Sequence, residues 1–283
     1  MLEREEYVEQ AYFFRTLGER LPKNMPLQEL LRQTREEILA STNLPHAIDF
    51  LRTELEHAGV LGSAMARLSH YFTPFQTYVV QEAENERGRF DLRIALQILR
   101  SEAEYRAKGM SPQGLFLFHF EVLSRNRLRY DKGLAAVAGD PLYDQNWREW
   151  ILFVRHQIGF IDLADLLYMR SEHCAKRRAA LRGGPVEPEK PVLFGEKEGK
   201  IALANRGKEP LYLFAALQRH LGYPEVPRPK PQDDTVEVLP LVLRRLERIE
   251  ARMKIMEEEQ RGGLDLTKFY GEHPKFPEPP TTI

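Results

Sequence analysis

The stretch Glu56–Asp91, EHAGVLGSAMARLSHYFTPFQTYVVQEAENERGRFD, decides how the chain is read. Glycines at 59, 62 and 88 and Phe72-Thr73-Pro74 punctuate a text whose apolar residues recur at three- and four-residue intervals, the period of a helix. Proline is tolerated at a first helical position because the N–H it lacks has no intrahelical partner there, and glycine closes a helix cheaply in the left-handed conformation. Gly59 and Gly88 are therefore expected at helix ends and Pro74 at a helix start.

The same logic extends outward. The spacing predicts helices near 3–21, 26–40, 44–58, 61–70, 74–86, 90–108, 111–128, 131–138 and 145–180. Pro26, Pro45 and Pro112 fall at starts, with Ser111 as an N-cap, and Gly109 and Gly139 at left-handed ends. Arg182 to Pro191 is too rich in Pro and Gly for regular structure. In Val192–Leu203, VLFGEKEGKIAL, two apolar runs flank a charged Gly-containing turn, which predicts a β-hairpin, and Pro210 to Leu221 predicts a helix closed by Gly222. The expected fold is all-α, a helical bundle with a helical extension, a small β-hairpin insertion and a C-terminal amphipathic helix. Its expected divisions are a bundle at 1–109, the extension at 110–181, hairpin plus short helix and Pro-rich linkers at 182–234, the amphipathic helix at 235–261 and an extended or disordered tail at 262–283.

In that last helix Leu239, Val242, Leu246, Ile249, Met253 and Met256 step by three and four, giving a and d positions for about three heptads. Arg245 and Glu250 then occupy g and e positions, so 239–256 is a candidate dimerisation or partner-binding face. Helix packing within the chain explains the same stripe.

Charge is balanced, 41 Lys plus Arg against 42 Asp plus Glu, so no global field recruits nucleic acid or an acidic membrane. Arg125, Arg127 and Arg129 are close together but flanked by acidic segments. One cysteine, Cys174, rules out an internal disulfide framework and suits a reducing cytoplasm. Met1–Glu9 carries four glutamates and no apolar core, unlike a secretory signal. Gly114–Leu123 is too short to span a bilayer, and Ile151–Met169 carries Arg155, His156, Asp162 and Asp165, so both predict buried helices and no transmembrane segment is expected.

No motif announces a reaction. Glu54 and His57 have the Glu-x-x-His spacing of a di-iron ligand pair, but no second copy exists, so no metal is expected. Glu172-His173-Cys174 could suggest a His-activated thiolate, although adjacent helical residues diverge by about 100 degrees. Trp147 and Trp150, with Tyr143, Phe153 and Phe160, form an aromatic stripe that reads as core or as a pocket within 141–175. Asp162 and Asp165 could be an acid–base pair, or structural carboxylates paired with Arg155 or Arg170. An enzyme or small-ligand reading would rest on His156, Asp162 and Cys174. No cofactor motif is present.

From Phe14 to Arg106 the order of signals resembles the cytoplasmic helical-bundle domain of the F-type inner-membrane platform proteins of type II secretion and type IV pilus assembly. Pro26-Leu27 opens the second helix, Gly59 closes the third, and Leu61, Ser63, Ala64 and Met65 follow the family's Leu-Ser run. Phe72 and Pro74 match Phe-x-Pro, Gly88, Phe90 and Asp91 match the later turn, and Ala95–Tyr105 (ALQILRSEAEY) is similar to the last helix. Two departures stand out. Glu84-Asn85 occupies the place of the family's Gly-Glu, and Lys108-Gly109 follows where the family enters the membrane. The resemblance implies a non-catalytic protein-binding module, a cytoplasmic relative without the anchor, acting through a protein partner or self-association.

Overall fold

The computed structural model describes residues 2–23, 25–85, 90–182, 190–228 and 253. Met1–Pro229 form one compact unit and Lys230–Ile283 a second. In the second, only Met253 is described; it is helical and half exposed.

The described part of the first unit holds one short 3-10 helix, Leu21–Lys23, and thirteen α-helices. They are α1 (Arg4–Arg20), α2 (Leu27–Glu37), α3 (Leu44–Ala58), α4 (Leu61–Arg67), α5 (Pro74–Ala83), α6 (Leu92–Ala107) and α7 (Pro112–Arg125). After them come α8 (Tyr130–Ala138), α9 (Gln145–Gln157), α10 (Leu163–Met169), α11 (Glu172–Arg182), α12 (Glu196–Ala204) and α13 (Pro210–Leu221). The all-α expectation holds among the described residues, and the first eight expected helices are present to within a few residues at their ends; Gly88, expected at a helix end, lies outside the described residues.

Local chemistry explains the breaks. Gly59 and Gly222 close α3 and α13 at φ 71° and 67°. Thr73 Oγ1 accepts from Gln76 N while Gln76 Oε1 accepts from Thr73 N, a reciprocal cap that starts α5 at Pro74. Ser111 Oγ accepts from Gly114 N and starts α7. Gly139 ends α8 with φ −77°, so it is not the left-handed closure its position suggested.

The centre is α7, in which every residue from Gly114 to Leu123 is buried. Around it pack α8 and α13, α6 reaches it through Glu102 against His119 and Tyr105 beside Gly114, and α1 is laid along α6. At the cross-point of α7, α9 and the 190s loop, Phe116, Trp147, Trp150 and Phe194 meet with centroids 4.7 to 6.1 Å apart, Phe194 lying edge-on to both indoles.

Two expectations are corrected. The predicted helix 145–180 is three helices, because Gly159 turns the chain at φ 93° and Asp162 and Ser171 then begin new ones; Asp162 Oδ1 accepts from Ala164 N at 3.1 Å and Ser171 Oγ from Cys174 N at 3.3 Å. The predicted hairpin at 192–203 is not one. Leu193 and Phe194 extend beside Arg170, donating to its carbonyl at 2.9 and 3.1 Å, and the charged run becomes α12. Glu196 pairs with Lys200 one turn on at 2.7 Å and with Lys176 of α11, which favours helix. Gly199 is a contact and not a turn, since a Cβ there would lie 2.3 Å from Ser171 Oγ.

Candidate functional site

The outer faces of α1 and α6 enclose an open cleft of about 350 Å³ lined by Arg4, Val8, Ala11, Tyr12 and Arg15 of α1 and by Glu104, Ala107 and Lys108 of the end of α6. The helical period creates this surface. Arg4, Val8, Ala11 and Arg15 follow one another at four, three and four residues and share one stripe. Glu6, Glu9 and Gln10 fall on the opposite, buried face.

That buried face is held by named bonds. Glu6 accepts from the backbone N and Nδ2 of Asn43 at 2.7 and 2.9 Å and from the Tyr71 hydroxyl at 2.7 Å, while Glu9 accepts from Leu39 N at 3.1 Å. Burial and then the Glu6 carboxylate push the Tyr71 hydroxyl well above the usual phenol range, so it stays a donor. Gln76 Nε2 donates to Gln10 Oε1 at 3.3 Å.

α6 is fixed from behind by a charged cluster without solvent exposure. Arg106 Nε and Nη2 donate to Glu102 Oε1 at 2.9 and 2.6 Å, Nη2 also reaches Asp140, and His119 Nε2 lies 3.0 Å from the same Glu102 oxygen. His119 stacks on Phe75 at 3.8 Å. Burial is the largest single influence on Glu102 and pushes its carboxyl up, but Arg106 and His119 together outweigh it and hold the group at about 2. The two carboxylates likewise raise Arg106 against the opposing effect of burial. This cluster ties α6 to α7 and to the start of the α8–α9 loop.

The cleft side has a different character. Val8 is 47 % exposed and Ala107 half-buried, a partly apolar floor open to solvent. Tyr12 is pinned over it by donating to Glu37 at 2.6 Å, and Arg15 lies 5.1 Å from the centre of its ring. Glu104 accepts from Arg100 at 2.8 Å. Among the described residues Arg4, Arg15 and Lys108 are exposed and none of the three is in an ion pair.

The residues singled out in the sequence are distributed elsewhere. His156 is exposed on α9, Asp162 caps α10 and also accepts from Gly207 N at 3.0 Å, and Cys174 is buried in α11; no described contact joins the three. Asp165 pairs with Arg206 and not with Arg155 or Arg170, and Arg155 donates to Asp131 at 2.6 Å. Glu54 pairs with Arg67, His57 is exposed, and no group of three or more metal-ligating side chains occurs among the described residues. Tyr143, Trp147 and Trp150 belong to the core, whereas Phe153 is partly exposed beneath Lys190 and Phe160 is 89 % exposed. Leu246, Ile249, Met256, Arg245 and Glu250 lie outside the described residues.

The cleft and the cluster behind it were not anticipated. Signals existed for both: Glu102 and Arg106 stand four apart, His119 and Glu121 interrupt an apolar run and so demand buried partners, and the Arg4–Arg15 stripe follows the helical period. Among the described residues no helix is long and apolar enough to cross a membrane. Compared with models of known protein families, with curated proteins and with solved structures, the chain matches none.

Proposed function

We propose that the chain is a non-catalytic protein–protein interaction module of the cytoplasm, built as a helical bundle that presents a preformed surface. The observation that carries this reading is the α1–α6 cleft, where three unpaired cations border a solvent-open apolar floor. Side chains with unspent charge beside apolar surface favour a partner that supplies both complements. The backing cluster supports the reading too, because fixed supports lower the ordering cost of binding.

Kinship with the secretion platform domains stays part of the proposal. In its support, Glu84, one residue from where that family carries its glutamate, accepts from Leu61 N and Gly62 N at 2.5 and 2.8 Å. It thereby caps α4 at the Leu-Gly-Ser-Ala-Met run, so two of the resembling segments depend on each other physically. A second interaction element is proposed at 239–256, where the apolar stripe suits self-association.

The test is affinity capture from the native host with the full chain and with Val8→Trp, which fills the cleft from an exposed position. A protein captured by the wild type and lost with Val8→Trp supports the reading. Capture insensitive to the indole, or no specific capture, refutes it. Light scattering of the full chain against a version ending at 234 tests self-association through 239–256.

A further inference from the structure

We infer that the α1–α6 cleft takes an acidic amphipathic helix of a partner protein, laid along α1 as a third helix. This rests on the interaction reading above and names the chemistry of the partner.

The arrangement of charge favours a rod over a compact ligand. Gly18 of α1 lies beside Leu96 and Tyr7 beside Arg106, so α1 and α6 run antiparallel. Arg4 and Lys108 therefore stand together at one end of the cleft and Arg15 at the other. Eleven residues separate Arg4 from Arg15 along α1, which at helical rise is about 16 Å. A small anion reaches one end only. A helix with carboxylates about eleven residues apart reaches both, because its own rise matches that of α1.

The floor specifies the middle of the partner. Val8 and Ala11 stand one turn apart between the two cationic ends, facing Ala107, and their small side chains leave a groove into which ridges of a neighbouring helix fit. A partner with Leu or Met at three- and four-residue spacing between its acidic residues covers Val8 and the Tyr12 ring while its carboxylates meet the rim. Glu104, the one carboxylate in the lining, is already engaged by Arg100, which leaves Arg4, Arg15 and Lys108 of the lining for the partner's acidic groups. A nucleic-acid strand would satisfy the cations but leave the apolar floor uncovered.

Fluorescence polarisation of labelled peptides with the full chain tests this. One peptide of about 18 residues carries Glu at two places eleven apart with Leu between them; the other carries Lys in place of Glu. The acidic peptide should bind at least tenfold more tightly, and Arg4→Glu/Arg15→Glu/Lys108→Glu should weaken it at least tenfold, about 1.4 kcal/mol, and reverse the preference. All three residues are exposed, and an unchanged circular dichroism spectrum verifies that the variant folds. Equal binding of both peptides, binding of neither, or tighter binding of a single-stranded oligonucleotide that the triple substitution abolishes overturns the inference. If Val8→Trp blocks capture of a native partner while the triple substitution does not, the acidic helix is wrong and the interaction reading stands. If no capture responds to Val8→Trp, the interaction reading itself fails.

Discussion

Replacing Arg106 by Leu removes the one cation shared by Glu102 and Asp140 in a site where all three side chains have no solvent exposure. Breaking a buried pair by deleting one partner costs about 3–5 kcal/mol, because the remaining charge keeps its desolvation penalty. For a unit of this size that lowers the melting temperature by roughly 6–20 °C, which leaves a protein of ordinary stability folded at 25 °C. The pH dependence gives the sharper readout. In the wild type the Glu102 carboxyl is depressed from 4.5 to about 2, so its contribution is present above pH 5 and is lost as pH falls toward 2. With Arg106 gone, burial, the largest influence on Glu102, is opposed by His119 alone and drives the carboxyl upward. The folded state then takes up its proton before the unfolded chain does, and stability at this site rises as pH falls. The deficit relative to wild type should therefore be largest near pH 7.5 and shrink toward pH 5, as read by thermal melts followed by circular dichroism. A variant that melts within about 2 °C of wild type at pH 7.5, or a deficit constant across that range, would refute the electrostatic account.

Gly199→Ala places a Cβ 2.3 Å from Ser171 Oγ, between α11 and α12, and should cost about 1–3 kcal/mol by urea unfolding. No loss would mean that α12 does not pass Ser171 so closely. Glu84→Ala removes the acceptor of the Leu61 and Gly62 amides, and should cost about 1 kcal/mol and speed hydrogen exchange at those two amides ahead of others in the bundle. Phe194→Ala empties the space against Trp147 and Trp150, and should cost about 3–5 kcal/mol with a marked change in tryptophan fluorescence.

What could be read from the sequence was whatever is specified locally. Thr73-Pro74, Ser111-Pro112, Gly59 and Gly222 set helix ends through their own backbone preferences and caps, so the bundle's segmentation was legible. What escaped depends on residues far apart in the chain. Gly199 reads as a turn residue unless Ser171 is known to lie against it, and Asp162 reads as mid-helix unless Gly159 is known to turn the chain. The Glu102–Arg106 pair was visible at four-residue spacing, but its burial was set by His119 and Asp140, 17 and 34 positions further on. The candidate cleft was hardest, because its residues are polar or small on a surface face, and such a face differs from any solvated one only once its charges are found unpaired.

α6 carries two kinds of surface within one turn, and this separates the roles of its charges. Glu102 and Arg106 point into the bundle, where their partners fix the helix against α7; Glu104 and Lys108, two positions along from each, reach the cleft. A two-residue step rotates a helical side chain by about 200 degrees, so alternate charges here serve opposite faces. Substitutions at 102 or 106 should therefore lower stability and weaken cleft binding only in proportion to the folded fraction. Lys108→Glu, like Arg4→Glu, should reduce binding of an acidic helix with the melting temperature unchanged within about 1 °C. A lysine reversal that lowered the melting temperature as far as Arg106→Leu would show that the cleft charges are part of the fold's support and not spare for a partner.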